Sequence, residues 1–151
     1  NMGATTIWER WNSVLPDGKI SGISMNSMNH YAYGAVMEWV YRNVLGINPA
    51  EDTPGFKKIR LAPQPDARLG HASATFDSPC GTYKSAWETA GNGFAYTFTI
   101  PFGCKAELRL TGVCADTLKV NGVPATDAGI DAHFEGDVLT AVLTSGSYSF
   151  A

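Results

Sequence analysis

The spacing of hydrophobic residues changes near residue 50. Before that point, apolar side chains recur every three or four positions, which is the period of an amphipathic helix. They are Tyr31, Val36, Met37, Trp39, Val40, Val44 and Leu45. Asn26 or Ser27 is suited to cap the start of this helix, and Gly46 is suited to end it. The pattern predicts one long helix over residues 26–45.

A second, shorter helix is predicted over residues 4–12. Trp8 and Trp11 lie three positions apart there and would share one face. The sequence Pro16-Asp-Gly18 between the two helices is a turn signal, so the N-terminal part is predicted to be a helical hairpin. Two helices joined by a long loop cannot bury their apolar faces alone, and they must pack against something else.

Beyond residue 50, apolar and polar residues alternate in short runs, which predicts β-strands. The runs are 57–61, 72–76, 82–88, 94–100, 106–110, 118–120, 138–143 and 147–150. Hairpin signals separate several of them, at Gly91-Asn-Gly93, Asn121-Gly122 and Ser145-Gly146. The spacing predicts an antiparallel β-sandwich with Phe76, Trp87, Phe98 and Leu110 in its core.

The predicted fold class is therefore α+β. We expect two domains: an N-terminal helical hairpin over residues 1–50 and an antiparallel, jelly-roll-like β-sandwich over residues 51–151. A sandwich of this length has enough core to fold unaided.

Composition narrows the classes of partner. The net charge is −3 and the 11 basic residues are scattered, so the sequence predicts no nucleic-acid surface. It contains no apolar run long enough to span a membrane, and we predict no membrane partner. The 3 cysteines are too few and too irregularly spaced for a metal site, and we interpret them as core thiols. We expect neither a metal nor a cofactor.

Glu9 is the strongest candidate for chemistry because it lies between two tryptophans. Indole rings stack on the C–H faces of a sugar, while a carboxylate binds hydroxyl groups or moves protons. The spacing also fits an alternative, in which Trp8 and Trp11 pack on the protein and Glu9 is the solvated side of a helix. His30, on the first turn of the long helix, is suited either to ligand binding or to a structural hydrogen bond.

Four segments carry a resemblance to a known family. They are Gly3-Ala-Thr-Thr-Ile-Trp-Glu-Arg-Trp11, Met28-Asn-His30, Pro54-Gly-Phe-Lys-Lys-Ile-Arg-Leu-Ala-Pro63 and Ser78-Pro-Cys-Gly-Thr-Tyr-Lys-Ser-Ala-Trp87. Together they resemble the carboxyl-terminal end of bacterial α-L-rhamnosidases of glycoside hydrolase family 78. The motifs are specific near the N-terminus and looser after about residue 91.

The resemblance implies a fold and a set of roles. The helical hairpin would be the last part of an α/α six-hairpin catalytic barrel, and the sandwich would follow it. Glu9 would be the general base of an inverting hydrolase, and His30 would bind the sugar, with Trp8 as a second substrate contact. The substrate would be a glycoside or polysaccharide with a terminal α-L-rhamnosyl linkage.

The same resemblance places the general acid outside this chain, so the chain alone is expected to be inactive. Its apolar N-terminal side chains, at Ile7, Trp8, Trp11, Met28 and Tyr31, would face other barrel helices and would favour self-association without them. An alternative from a different class is a non-catalytic sandwich, either a carbohydrate-binding or a structural module. An exposed row of aromatic side chains would favour binding, and inward-facing aromatics would favour a structural role.

Overall fold

The computed structural model describes residues 3–22 and 24–151, and the chain divides into two compact units. The N-terminal unit ends at Trp39, and the C-terminal unit begins at Val40. Helices α1 (Tyr31–Gly34) and α2 (Val36–Trp39) belong to the N-terminal unit. The β-strands belong to the C-terminal unit.

Residues 4–12 do not form the predicted helix, and coil, bends and a turn occupy this segment. Its backbone pairs with a later segment instead. The Glu9 N–H donates to the Ser27 carbonyl over 2.8 Å, and the His30 N–H donates to the Ile7 carbonyl over 2.8 Å. Backbone groups engaged in this way cannot complete helical hydrogen bonds. The helix prediction is wrong because pairing with a distant segment outweighs the local pattern.

The turn predicted at Pro16-Asp-Gly18 is confirmed. The Gly18 N–H donates to the Leu15 carbonyl over 2.9 Å, which closes a four-residue turn. Below the turn, the Ser21 N–H donates to the Ser13 carbonyl over 3.0 Å. Residues 13–21 therefore form a small closed loop, and its base is at Ser13 and Ser21.

The helix predicted over residues 26–45 is shorter and interrupted. It consists of α1, α2 and a π-helical stretch at Val40–Val44. His30 is the residue before α1, so the predicted caps at Asn26 and Ser27 are wrong. The Asn26 side chain instead donates to a carbonyl of the preceding loop. A glycine ends α1, and glycine lowers the stability of a helix interior by roughly 1 kcal/mol.

Two sheets build the C-terminal unit. Their strands are β1 (Ile47–Pro49), β2 (Lys58–Leu61), β3 (His71–Ser78), β4 (Gly81–Ala90), β5 (Gly93–Ile100), β6 (Lys105–Thr111), β7 (Lys119–Val120), β8 (Val123–Pro124), β9 (Asp131–Glu135), β10 (Val138–Leu143) and β11 (Gly146–Phe150). The strand orders are β1-β2-β6-β10-β9 and β3-β4-β5-β11-β7-β8. The pairs are antiparallel except β2 with β6, which run parallel. The α+β class with a β-sandwich is confirmed.

One hydrophobic core contains residues from both sheets. It forms because alternate side chains of each strand point inward, as on β6, where Ala106, Leu108 and Leu110 are buried and their neighbours are exposed. Of the predicted core residues, Trp87, Phe98 and Leu110 are buried, and Phe76 is half-buried against the cluster.

The hairpin predictions are confirmed at two positions and wrong at one. Residues 91 and 92 connect β4 to β5, and Asn121-Gly122 connects β7 to β8. Asn121 and Gly122 have φ values of 51° and 84°, as the tightest hairpin turns require. Thr144 and Ser145, however, connect β10 in one sheet to β11 in the other, so the chain changes sheets there. Strands β1, β8 and β9 were not predicted.

Candidate functional site

Glu9 is held in place by residue 27 at two points. The Glu9 N–H donates to the Ser27 carbonyl over 2.8 Å, and the Ser27 N–H donates to Oε2 of the Glu9 carboxylate over 2.7 Å. The Thr6 hydroxyl adds a third link by donating to the Met28 carbonyl over 2.5 Å. Two segments that are about twenty residues apart in sequence therefore lie side by side at Glu9.

Glu9 and Trp8 line one surface pocket of the N-terminal unit. Its volume is about 660 Å³. The wall consists of Ala4, Thr6, Ile7, Trp8, Glu9, Arg10, Trp11 and Tyr33. Three of these side chains are aromatic and one is a carboxylate, a combination that is suited to a sugar. The structure therefore brings two of the three predicted site residues together.

His30 lies beside this pocket and contacts one of its walls. Its ring meets the ring of Tyr33 edge-on, with the centroids 4.6 Å apart. Its backbone N–H donates to the carbonyl of Ile7, two residues before Glu9. His30 precedes α1, so its position follows from the start of that helix.

Tyr33 is a pocket residue that the sequence reasoning missed. It lies three positions after His30, so one helical turn places both rings on the same side of α1. This spacing could have identified Tyr33 once His30 was a candidate.

The N-terminal unit exposes several large apolar side chains. Trp11 is fully exposed, and Tyr31 and Ile7 are 87% and 46% exposed. Trp8 and Met28, which belong to the same predicted set, are half-buried. Self-association through this set stays a prediction.

Four large aromatic side chains on β4 and β5 of the sandwich point inward. Tyr83 and Phe98 have no exposed surface, and Trp87 and Tyr96 are 2% exposed. Burial raises the pKa of Tyr96, and burial together with the Cys104 thiol raises the pKa of Tyr83. These four residues therefore form no exposed platform on which a sugar could stack, and the structural interpretation of the sandwich is favoured over carbohydrate binding.

Three titratable residues of the C-terminal unit interact with neighbouring side chains. Arg68 beside Asp66 holds the pKa of that carboxyl at about 2, and Asp77 accepts a hydrogen bond from the Thr82 hydroxyl over 2.7 Å. His133 lies 3.3 Å from a carboxylate oxygen of Asp131. Within residues 3–22 and 24–151, no group of three or more metal-ligating side chains is found.

The three cysteines are free and differ in burial. Cys104 is buried, Cys80 is half-buried, and Cys114 is exposed. The interpretation as core thiols therefore holds for Cys104 and is wrong for Cys114. In the described part of the chain, no helix is long and apolar enough to cross a membrane.

Two family models match the chain, and both describe domains of one class of glycosidase. Residues 1–44 match the six-hairpin glycosidase domain of bacterial α-L-rhamnosidases, and residues 46–123 match their C-terminal domain. The second match alone covers more than half of the chain. The chain belongs to the bacterial α-L-rhamnosidase family.

Curated relatives agree with this assignment. The chain is 42% identical to an α-L-rhamnosidase of Formosa agariphila over 121 residues, which is 80% of this chain and 13% of the relative. It is also 42% identical to α-L-rhamnosidases of Alteromonas sp. and Streptomyces avermitilis, over 71% and 72% of this chain. The chain spans 11% and 10% of those two proteins.

Solved structures show the same fold over almost the whole chain. The α-L-rhamnosidase of Streptomyces avermitilis, complexed with L-rhamnose, matches 98% of this chain at 34% identity with a TM-score of 0.72. The enzyme from Dictyoglumus thermophilum matches 98% at 28% identity with a TM-score of 0.73. This chain covers 14% and 16% of those two structures, so it corresponds to a small portion of each.

Proposed function

We propose that this chain is the C-terminal portion of an inverting α-L-rhamnosidase that hydrolyses terminal α-L-rhamnosyl linkages in glycosides or polysaccharides. The order of the two matched domains supports this proposal, because a glycosidase segment precedes a C-terminal domain. The relatives carry the name α-L-rhamnosidase, and one solved relative binds L-rhamnose. The boundary between barrel and sandwich near residue 50 is part of the proposal.

Inversion at a sugar carbon needs two carboxyl groups, typically about 6.5–9.5 Å apart. One protonates the leaving oxygen, and the other removes a proton from the attacking water. In the proposed enzyme, Glu9 is the second group, the general base. The general acid is expected in a part of the enzyme that this chain does not include.

The observation that carries the proposal is the state of the Glu9 carboxylate. Its Oε2 is anchored by the Ser27 N–H, while Oε1 accepts no hydrogen bond from the residues that the structure describes. Such a carboxylate is fixed in orientation and still has an oxygen available to a water molecule. Trp8 lines the same pocket, where its indole ring can stack on the sugar.

His30 completes the proposed sugar site. An imidazole beside the pocket can exchange a hydrogen bond with a sugar hydroxyl group, and its contact with Tyr33 restrains the ring. The sandwich has a structural role in this proposal, because the aromatic side chains on the inner faces of β4 and β5 fill its own core.

The stereochemistry of the product tests the proposed reaction. The intact enzyme that carries these residues is expected to convert an aryl α-L-rhamnoside first into β-L-rhamnose, because one displacement inverts the anomeric carbon. Proton NMR in the first minutes distinguishes the two anomers before they equilibrate.

The isolated chain is the matched control for this experiment, and it is expected to show no turnover because Glu9 has no acid partner. An α-configured first product would contradict the inverting mechanism. Turnover by the isolated chain that disappears in Glu9→Gln would contradict the proposal that the general acid lies outside this chain.

The isolated chain is also predicted to self-associate through its N-terminal unit. Trp11 and Tyr31 are largely exposed there, and exposed apolar side chains in a patch favour association in water. Sedimentation velocity over a series of concentrations should detect dimers or larger species. Replacing Trp11 and Tyr31 by serine should reduce association, whereas Phe102→Ser, at an exposed aromatic of the C-terminal unit, should not. A monomer at every concentration would refute this prediction.

A further inference from the structure

Three hydrogen bonds, together with the backbone between neighbouring residues, form a closed ring that contains Glu9, Ser27, Asn26 and Ser13. The Ser27 N–H donates to Glu9 Oε2 over 2.7 Å, and Ser27 follows Asn26 in the chain. The Asn26 Nδ2 donates to the Ser13 carbonyl over 3.0 Å. The ring closes because the Arg10 N–H, one residue after Glu9, donates to Ser13 Oγ over 3.2 Å.

Within this ring, Ser13 is held in place by burial and by hydrogen bonds. The residue is completely buried, and its own N–H donates to the Arg10 carbonyl over 3.1 Å. Its carbonyl oxygen accepts from both the Ser21 N–H and the Asn26 amide, so both lone pairs are used. The small loop of residues 13–21 therefore holds the carbonyl to which Asn26 is tied.

The orientation of the Asn26 amide follows from its partner. A carbonyl oxygen can only accept, so the end of the amide that faces Ser13 must be the NH₂ group. The other end, Oδ1, is then a buried oxygen with no hydrogen-bond partner among the described residues. An unpaired buried oxygen lowers the stability of the folded state. A stabilising effect on the fold therefore does not explain why an asparagine occupies position 26.

We propose that Asn26 is a positioning residue for the general base, acting through the Ser27 N–H. This inference rests on the proposed function, in which Glu9 activates water. The hydrogen bond from the Asn26 amide to the Ser13 carbonyl restrains the backbone between Asn26 and Ser27. It thereby sets the direction of the Ser27 N–H, which donates to Glu9 Oε2. With one oxygen anchored, the other keeps a constant direction toward the water that it deprotonates.

Asn26→Ala in the intact enzyme is the first test. We expect kcat to fall roughly 10- to 100-fold, which is the size of effect that a misplaced reactive group produces. The KM should change less than about twofold, because the base acts mainly in the transition state. Asn26→Asp has nearly the same shape but presents an oxygen to the Ser13 carbonyl, and it should lose kcat similarly. Asn12→Ala, at an exposed asparagine of the same unit, is the matched control.

A second test separates positioning from a general structural role. Glu9→Ala lacks the base, and azide can replace the activated water and form a glycosyl azide. If Asn26 acts through Glu9, adding Asn26→Ala to Glu9→Ala should leave the azide-dependent rate unchanged within about twofold. A structural role predicts a further 10- to 100-fold loss in the double variant, because a distorted pocket slows the azide reaction too.

The outcomes distinguish this inference from the proposed function. Normal turnover of Glu9→Gln would overturn the proposed function itself. Loss of turnover in Glu9→Gln, together with normal kcat in Asn26→Ala and Asn26→Asp, would overturn the positioning role alone. The positioning role would also be overturned if the azide-dependent rate of Glu9→Ala fell when Asn26→Ala was added. If Asn26→Ala does not fold, as judged by its thermal midpoint, Asn26→Asp provides the same comparison.

Discussion

Glu9→Gln in the intact enzyme is expected to lower kcat by about 10²- to 10⁴-fold, the usual contribution of a positioned acid or base. Glutamine keeps the size of the side chain and can still accept the Ser27 N–H through its amide oxygen. It cannot take a proton from water. The KM should change little, because activation of water matters mainly in the transition state.

Azide identifies the missing function in this variant. A small anion can occupy the position of the activated water and attack without a base, so azide should restore rhamnoside cleavage in Glu9→Gln or Glu9→Ala. The product should be a glycosyl azide of inverted configuration, which NMR and mass spectrometry can assign. His30→Ala is a useful contrast, since losing a hydrogen bond to the bound sugar should raise KM as well and should not respond to azide.

The control for this experiment is Glu88→Gln, an exposed glutamate on β4 of the sandwich. It should keep normal kinetics. Near-normal turnover of Glu9→Gln would show that another group is the base, and the proposed function would lose its main support.

The sandwich was predictable because its signals are local. Alternation places every second side chain of a strand on one face, and the aromatic residues on the inner faces of β4 and β5 are large enough to define a core. Tight turns such as Asn121-Gly122 depend on residues that tolerate positive φ, so sequence alone identifies them. The change of sheets at Ser145 depends on how distant strands pair, and no local signal marks it.

The N-terminal unit was harder to predict because its structure depends on contacts between distant segments. The spacing of Trp8 and Trp11 fits a helix, yet the backbone at Glu9 pairs with residue 27 instead. Asn26 has the residue type of a helix cap, but its amide is used to reach Ser13. Local propensity cannot report such pairing, so the sequence indicated candidate residues for the site and not how they are held.

Gly46→Ala is expected to destabilise the C-terminal unit strongly. Gly46 has a φ of 71°, a backbone region that costs other residues roughly 1–2 kcal/mol. A Cβ at this position would lie 2.2 Å from both the Ala62 carbonyl carbon and the Pro63 nitrogen. These atoms belong to the backbone, so no side chain can move aside, and overpacking adds about 1–3 kcal/mol.

Gly112 provides a closely matched control for this prediction. Its φ is also 71°, but a Cβ there would meet no atom within 4 Å. Gly112→Ala should therefore lose only the conformational cost of roughly 1–2 kcal/mol, whereas Gly46→Ala should lose about 2–5 kcal/mol in total or fail to fold. Urea unfolding of the isolated chain, followed by tryptophan fluorescence at low concentration, measures the difference between the two. Equal losses of unfolding free energy in the two variants would contradict the close approach of the Ala62 and Pro63 backbone to Gly46.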